Sequence, residues 1–300
     1  MKLQAIFCVL FALFGALLFN ACISLKASGT AGPSSDSILR VLAIGNSFSA
    51  DALETHLHGI ARAAGVQMQI ANFAAPGAGL DFHVRYATTD STKYIYTKIE
   101  PDGAKKVAHR IALGDVLNTE DWDLISFQQV SHLAGEFETF EAHLPALVEH
   151  VRQHLTKARP IYALHQTWAY EEGCKHPGFA LYNHDQQIMY RAVADAVNKA
   201  ASLVDIDVIV PSGTAIQNAR TTFMGDAFTS DGFHLAPQTG RYIAAATWFQ
   251  KLTGISVLGN SYRPPEVTVE QLAVMQYAAH LAVKQPNEVT WMSNKEDWGM

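Results

Sequence analysis

Cysteine is scarce: the 300 residues hold only Cys8, Cys22 and Cys174. So few cannot form a disulfide framework, and a hydrophobic core must supply the stability. Charge is also sparse, at 17% of residues, and it has no basic excess, since 22 Lys and Arg stand against 28 Asp and Glu for a net charge of −6. Without a basic surface there is nothing to neutralise a phosphate backbone, and nucleic acid is not expected as a partner. His-Glu-x-x-His and the Walker lysine motif are missing, and Gly77-Ala78-Gly79 lacks the third glycine of a dinucleotide fingerprint. His143, His150 and His154 share one face at the 3.6-residue period, but no carboxylate or cysteine completes them at ligand spacing. No metal and no cofactor are therefore expected. The acidic residues Glu136, Glu138, Glu141, Glu171 and Glu172 form no pair that the sequence holds across a scissile bond, and they read as solvated faces.

What is present is 49% hydrophobic residues, enough for a large core. The one apolar run of membrane length is Leu3 to Phe19, behind Lys2. With Leu18-Phe19-Asn20-Ala21-Cys22 it makes the three regions of a secretory signal over residues 1–21. A cysteine at that boundary, after a small residue, resembles a bacterial lipobox, which implies lipidation of Cys22 and a membrane-anchored, exported protein. Residues 22–37, rich in Ser, Gly and Pro, read as a flexible tether, and residues 38–300 as the folded domain.

From Ile38 onward, short apolar runs alternate with longer amphipathic ones, the pattern of stacked βαβ units. Arg40–Ile44, Gln67–Phe73, Leu124–Phe127, Ile161–Leu164 and Val208–Val210 read as five strands. Helices are expected over Asp51–Ala64, Gln187–Ala201 and Gln238–Leu252. The predicted fold class is α/β, a three-layer α/β/α arrangement on a five-stranded parallel sheet, with chemistry at the carboxyl ends of the strands.

Gly45-Asn46-Ser47-Phe48-Ser49 follows the first strand, where helix N-terminal N–H groups stabilise developing negative charge. Ser47 suits a nucleophile there, although serines at such turns commonly cap the helix instead. Near the other end, Asp231-Gly232-Phe233-His234 puts a carboxylate and an imidazole three residues apart, a spacing that lets Asp231 orient His234 as a base.

These blocks, in this order, resemble the SGNH, or GDSL-type, serine hydrolase superfamily over residues 40–254, with Asn46 where that family usually has Asp. The resemblance implies a flavodoxin-like fold, Ser47, His234 and Asp231 as a catalytic triad, and an oxyanion hole. The hole would consist of the Ser47 N–H, a glycine after the second strand, and an asparagine after the third. Gly77 fits the glycine place ahead of Gly79. No asparagine follows the third strand, and Gln129 is the candidate donor, with Ser131 and His132 as alternatives. Gln166, Trp168 and Tyr170, after the fourth strand, are candidates for bonding and stacking on a sugar, against a plainer reading as packing. The expected function is an exported serine esterase that removes an O-acyl group, most simply acetyl, from a small-molecule or polysaccharide ester. The alternatives are a glycan-binding lipoprotein with a decayed oxyanion hole, or a lipase or thioesterase.

Overall fold

The computed structural model describes residues 37–89, 93–156, 158–293 and 298, so the signal segment, Cys22 and the tether up to residue 36 lie outside the described residues. The first strand, β1 (Leu39–Gly45), buries Val41 to Gly45 completely, because helices cover both faces of the sheet. Each large aliphatic side chain buried here contributes roughly 1.5–3 kcal/mol. A right-handed crossover through α1 (Ser47–Leu53) and α2 (Leu57–Ala63) leads to the parallel strand β2 (Met68–Ala74).

The single helix expected over 51–64 is thus two helices. At the break, Glu54 accepts a hydrogen bond from Asn72 at 2.7 Å and pairs with Lys105 at 2.9 Å. His56 there is held between Tyr262 Oη at 3.0 Å and the Pro237 carbonyl at 2.6 Å. Side-chain ties of this kind outweigh a helical periodicity that would otherwise run on.

After α3 (Leu80–Thr89), a hairpin of β3 (Tyr94–Ile99) and β4 (Lys105–Ile111) adds antiparallel to β2. The chain then returns through α4 (Leu113–Leu117) to β5 (Leu124–Phe127), α5 (Phe137–His154), β6 (Ile161–His165), α6 (Gln186–Ala200) and β7 (Val208–Val210). Three helices complete it: α7 (Ser212–Arg220), α8 (Gly240–Thr253) and α9 (Val269–Lys284). The sheet order is β4-β3-β2-β1-β5-β6-β7, so it has seven strands rather than the five expected. The five expected strands make up its parallel part. On one face α8 sits among α1, α2, α7 and α9, and on the other α5 sits among α3, α4 and α6. The winding reverses beside β1, so the loops after β1 and β5 diverge there and open a crevice at the carboxyl edge.

Candidate functional site

The turn after β1 lies at that reversal. Asn46, not a serine, caps α1: its side chain accepts from the Phe48 N–H at 2.9 Å. Ser47 is therefore free of the capping role and stands half-buried at the first helical position. Ser49 is buried instead, with its hydroxyl 2.7 Å from both the Asn46 carbonyl and Asn72 Oδ1.

Ser47 Oγ lies 3.0 Å from His234 Nε2, and His234 Nδ1 lies 2.7 Å from Asp231 Oδ2. The other Asp231 oxygen accepts from the N–H groups of His234 at 2.8 Å and Phe233 at 3.2 Å. Partial burial works to raise the Asp231 carboxyl, but these hydrogen bonds outweigh it and hold the group below its usual range. Gly232 turns this loop with φ +93, and an added Cβ would meet Cys174 Sγ at 2.9 Å, so both conformation and space call for glycine.

The loop carrying His234 is locked to the helix carrying Ser47. Asp51, one turn along α1, is buried; it accepts the Leu235 N–H at 2.8 Å and pairs with Arg241 at 2.8 Å. Arg241 Nε donates in turn to the Leu235 carbonyl at 3.2 Å. Both backbone polar groups of the residue after His234 are thus gripped by one ion pair.

Beneath Ser47 runs a buried chain of polar groups. Ser212 Oγ donates to His165 Nε2 at 3.0 Å, His165 Nδ1 donates to Gln128 Oε1 at 2.9 Å, and Gln128 Nε2 donates to Asn46 Oδ1 at 2.6 Å. Asn46 Nδ2 completes the chain by donating to the Ala78 carbonyl at 2.9 Å. Complete burial pushes His165 down to about 3, so its imidazole is neutral and the donor directions are consistent throughout. An aspartate at position 46 would set a carboxylate oxygen against the Ala78 carbonyl, which accounts for Asn46 in this chain.

The same bond ties the β2 turn to the turn that carries Ser47. Ala78 N–H closes a tight turn to the Ala75 carbonyl at 3.1 Å, with Pro76 and Gly77 at its corner. Gly77 has φ +67, the value that Pro-Gly supplies in a type II turn, and it is exposed on the rim. Gly79 is buried behind it.

Gln129 does not face the crevice as a spare donor. Its carbonyl oxygen accepts from Leu80 at 2.9 Å and from Val130 at 2.8 Å, and its amide donates to Thr139 Oγ1 at 2.9 Å. The expectation of an oxyanion donor at Gln129 is corrected accordingly: the side chain braces the loop after β5. Ser131 is buried against Tyr170, hydroxyl to hydroxyl at 2.8 Å, while His132 is half-buried at the rim.

The three expected sugar contacts are also corrected, since all are buried. Gln166 Oε1 accepts from the Thr214 N–H at 3.0 Å. Trp168 stacks on Phe48 at 4.3 Å and donates its indole N–H to the Phe233 carbonyl at 2.7 Å. Trp168 and Tyr170 support the histidine loop from below, Gln166 ties β6 to α7, and none of the three has surface to offer a substrate. Two features escaped sequence reasoning: the Asp51–Arg241 grip and the Asn46-to-Ser212 chain. Their one local signal was the position of Asp51, four residues after Ser47, on the same helical face.

A family model described as a domain of unknown function, DUF4886, matches residues 40–282, whereas no curated protein matches. Among solved structures, the chain is similar to a DUF4886 family protein from Bacteroides uniformis, with 43% identity and a TM-score of 0.83 over 85% of this chain and 98% of that one. A protein from Slackia heliotrinireducens, provisionally described as an SGNH hydrolase, is 20% identical with a TM-score of 0.48 over 72% of this chain and 99% of that one. The acetylxylan esterase of Geobacillus stearothermophilus is 12% identical with a TM-score of 0.47 over 73% of this chain and 95% of that one.

Proposed function

We infer that this chain, which belongs to the DUF4886 family, is a serine esterase that hydrolyses an O-acyl ester. The observation that carries the reading is the continuous hydrogen-bond chain from Ser47 Oγ to His234 at 3.0 Å and on to Asp231 at 2.7 Å. Ser47 Oγ attacks the acyl carbon as His234 Nε2 takes its proton, and Asp231 holds the imidazole in the tautomer this needs and stabilises its charge. The oxyanion is received by the Ser47 N–H at the start of α1 and by the N–H of Gly77. Collapse of the tetrahedral intermediate expels the alcohol, which leaves with the proton from His234. Water then attacks the acyl-serine, gives its proton to His234 and releases the acid, and the proton returns to Ser47.

With Gln129 committed to its loop, the oxyanion hole has two donors instead of three. A missing donor typically costs about 10²–10³ in rate, so a slow esterase is expected rather than an inert one. Turnover of an acetyl ester such as 4-nitrophenyl acetate tests the reading: Ser47→Ala is expected to abolish it, and full activity in that variant overturns the proposal. The proposal includes export and a lipid anchor at Cys22, which the signal-like segment supports. Wild-type protein is expected in the detergent phase of a Triton X-114 partition and Cys22→Ser in the aqueous phase; an unchanged partition removes the anchor.

A further inference from the structure

The proton that His234 returns goes to the departing oxygen, so the alcohol half of an ester must lie on the imidazole side of Ser47, away from the oxyanion donors. What adjoins His234 on that side therefore decides which alcohols fit. Phe233 is half-buried, with its ring centroid 4.2 Å from that of His234. His176 meets Phe233 edge-on at 5.0 Å, and His132 lies 5.7 Å from His176. Tyr170 backs the group from beneath, edge-on to His176 at 5.1 Å.

Three loops bring these residues together: those after β5 and β6, and the one between α7 and α8. They are fastened to one another: Glu171 N–H donates to the Gly232 carbonyl at 2.8 Å, and an added Cβ on Gly178 would meet His132 Cβ at 2.3 Å. The result is a rigid shelf running outward from the catalytic imidazole.

The chemistry of the shelf is both aromatic and hydrogen-bonding. Gly178 N–H donates to His176 Nδ1 at 3.0 Å, so in the neutral ring the proton sits on Nε2, which remains a donor. Burial first, and then the neighbouring imidazoles, push both His176 and His132 below the ordinary histidine value, so both are neutral at neutral pH. Neither His176 Nε2 nor either ring nitrogen of His132 bonds another described residue. A half-exposed phenyl ring beside unspent imidazole donors and acceptors suits a ring that is apolar on its faces and hydroxylated at its edge, the surface of a sugar. An acyl-lipid alcohol would leave the imidazole nitrogens unpaired.

Resting on the esterase reading above, we propose that Phe233, His176 and His132 form the subsite for the alcohol half of the substrate, and that this alcohol is a sugar. Phe233 stacks on the ring, and the two imidazoles bond its hydroxyl groups.

The test compares acetate release from 6-O-acetylglucose with release from ethyl acetate, whose alcohol has neither ring nor hydroxyl. The readout is the ratio of the two kcat/KM values. His176→Ala and Phe233→Leu are each expected to lower that ratio at least tenfold, mainly through a higher KM for the sugar ester, with His176→Gln restoring part of it through its amide donor. A ratio unchanged in both, or one that shifts through kcat alone, overturns the proposal. Phe233→Leu keeps the test alive if His176→Ala fails to fold, because it preserves bulk beside His234. The two readings fail separately: activity in Ser47→Ala removes the esterase, whereas an inactive Ser47→Ala together with a constant ratio removes only the sugar subsite.

Discussion

At the scale of single residues, the site depends on side chains whose donor and acceptor inventory leaves little freedom. Asn46 acts as cap acceptor for Phe48, acceptor for Gln128 and donor to Ala78, a combination an ionised aspartate cannot provide. His165 at the far end of that chain has a measurable signature. The unfolded chain takes up a proton on this side chain near its ordinary value of about 6.5, while the folded protein refuses it until about 3. Below pH 6.5 the unfolded state thus binds more protons, and stability falls as pH drops from 6.5 toward 3, whereas above 6.5 this residue gives no pH dependence. By pH 4.5 the loss from His165 is roughly 2–3 kcal/mol. His83, pushed down to about 4 by complete burial, adds a loss of the same sign. Urea unfolding at pH 7 and pH 4.5 should show a smaller loss in His165→Asn than in wild type; equal losses would mean that His165 is protonated in the folded protein. The Ser47 and Asp231–His234 motifs were legible in the sequence because each is local. Gln129 was misread because its partners, Leu80 and Thr139, lie 49 positions before it and 10 after, and a sequence does not tell which way an amide turns.

At the scale of elements, the alignment of Ser47 with His234 depends on how α1 is joined to the loop before α8. Asp51 and Arg241 make that joint, and Trp168 supports the loop through the Phe233 carbonyl. Asp51→Ala leaves the buried Leu235 N–H without an acceptor and Arg241 without its carboxylate. The expected cost is roughly 1–3 kcal/mol in stability, discounted for the partly exposed guanidinium. It should be accompanied by a fall in kcat for a small acetyl ester, with KM little changed, because His234 loses its fixed position over Ser47. Steady-state kinetics check this, and an unchanged kcat in folded Asp51→Ala contradicts the clamp. The five parallel strands were legible as buried apolar runs. The β3–β4 hairpin was not: β4 is exposed along nearly its whole length and carries Lys105, Lys106, His109 and Arg110, so no apolar period marks it. The break between α1 and α2 was equally hidden, since it is made by Asn72, Lys105, Pro237 and Tyr262 from elsewhere in the chain.

At the scale of the whole molecule, the fold brings a serine and a histidine 187 positions apart to the same edge of one sheet. Alternation of strands and helices implied this from the sequence, since parallel strands with right-handed crossovers set all the βα loops at one edge. What the alternation could not convey is the furniture of that edge: which aromatic rings are covered, as Trp168 and Tyr170 are, and which stay at the rim, as Phe233 does. Burial is decided by the loops that close over a residue, and those loops carry little periodicity. The central claim, that Ser47 is a nucleophile activated by His234, is tested most directly by treating the folded protein with a fluorophosphonate and mapping the adduct by peptide mass. One adduct is expected, on the peptide containing Ser47 and specifically on that residue, with His234→Ala labelling far more slowly. An adduct on Ser49 or elsewhere, or labelling indifferent to His234, would contradict it.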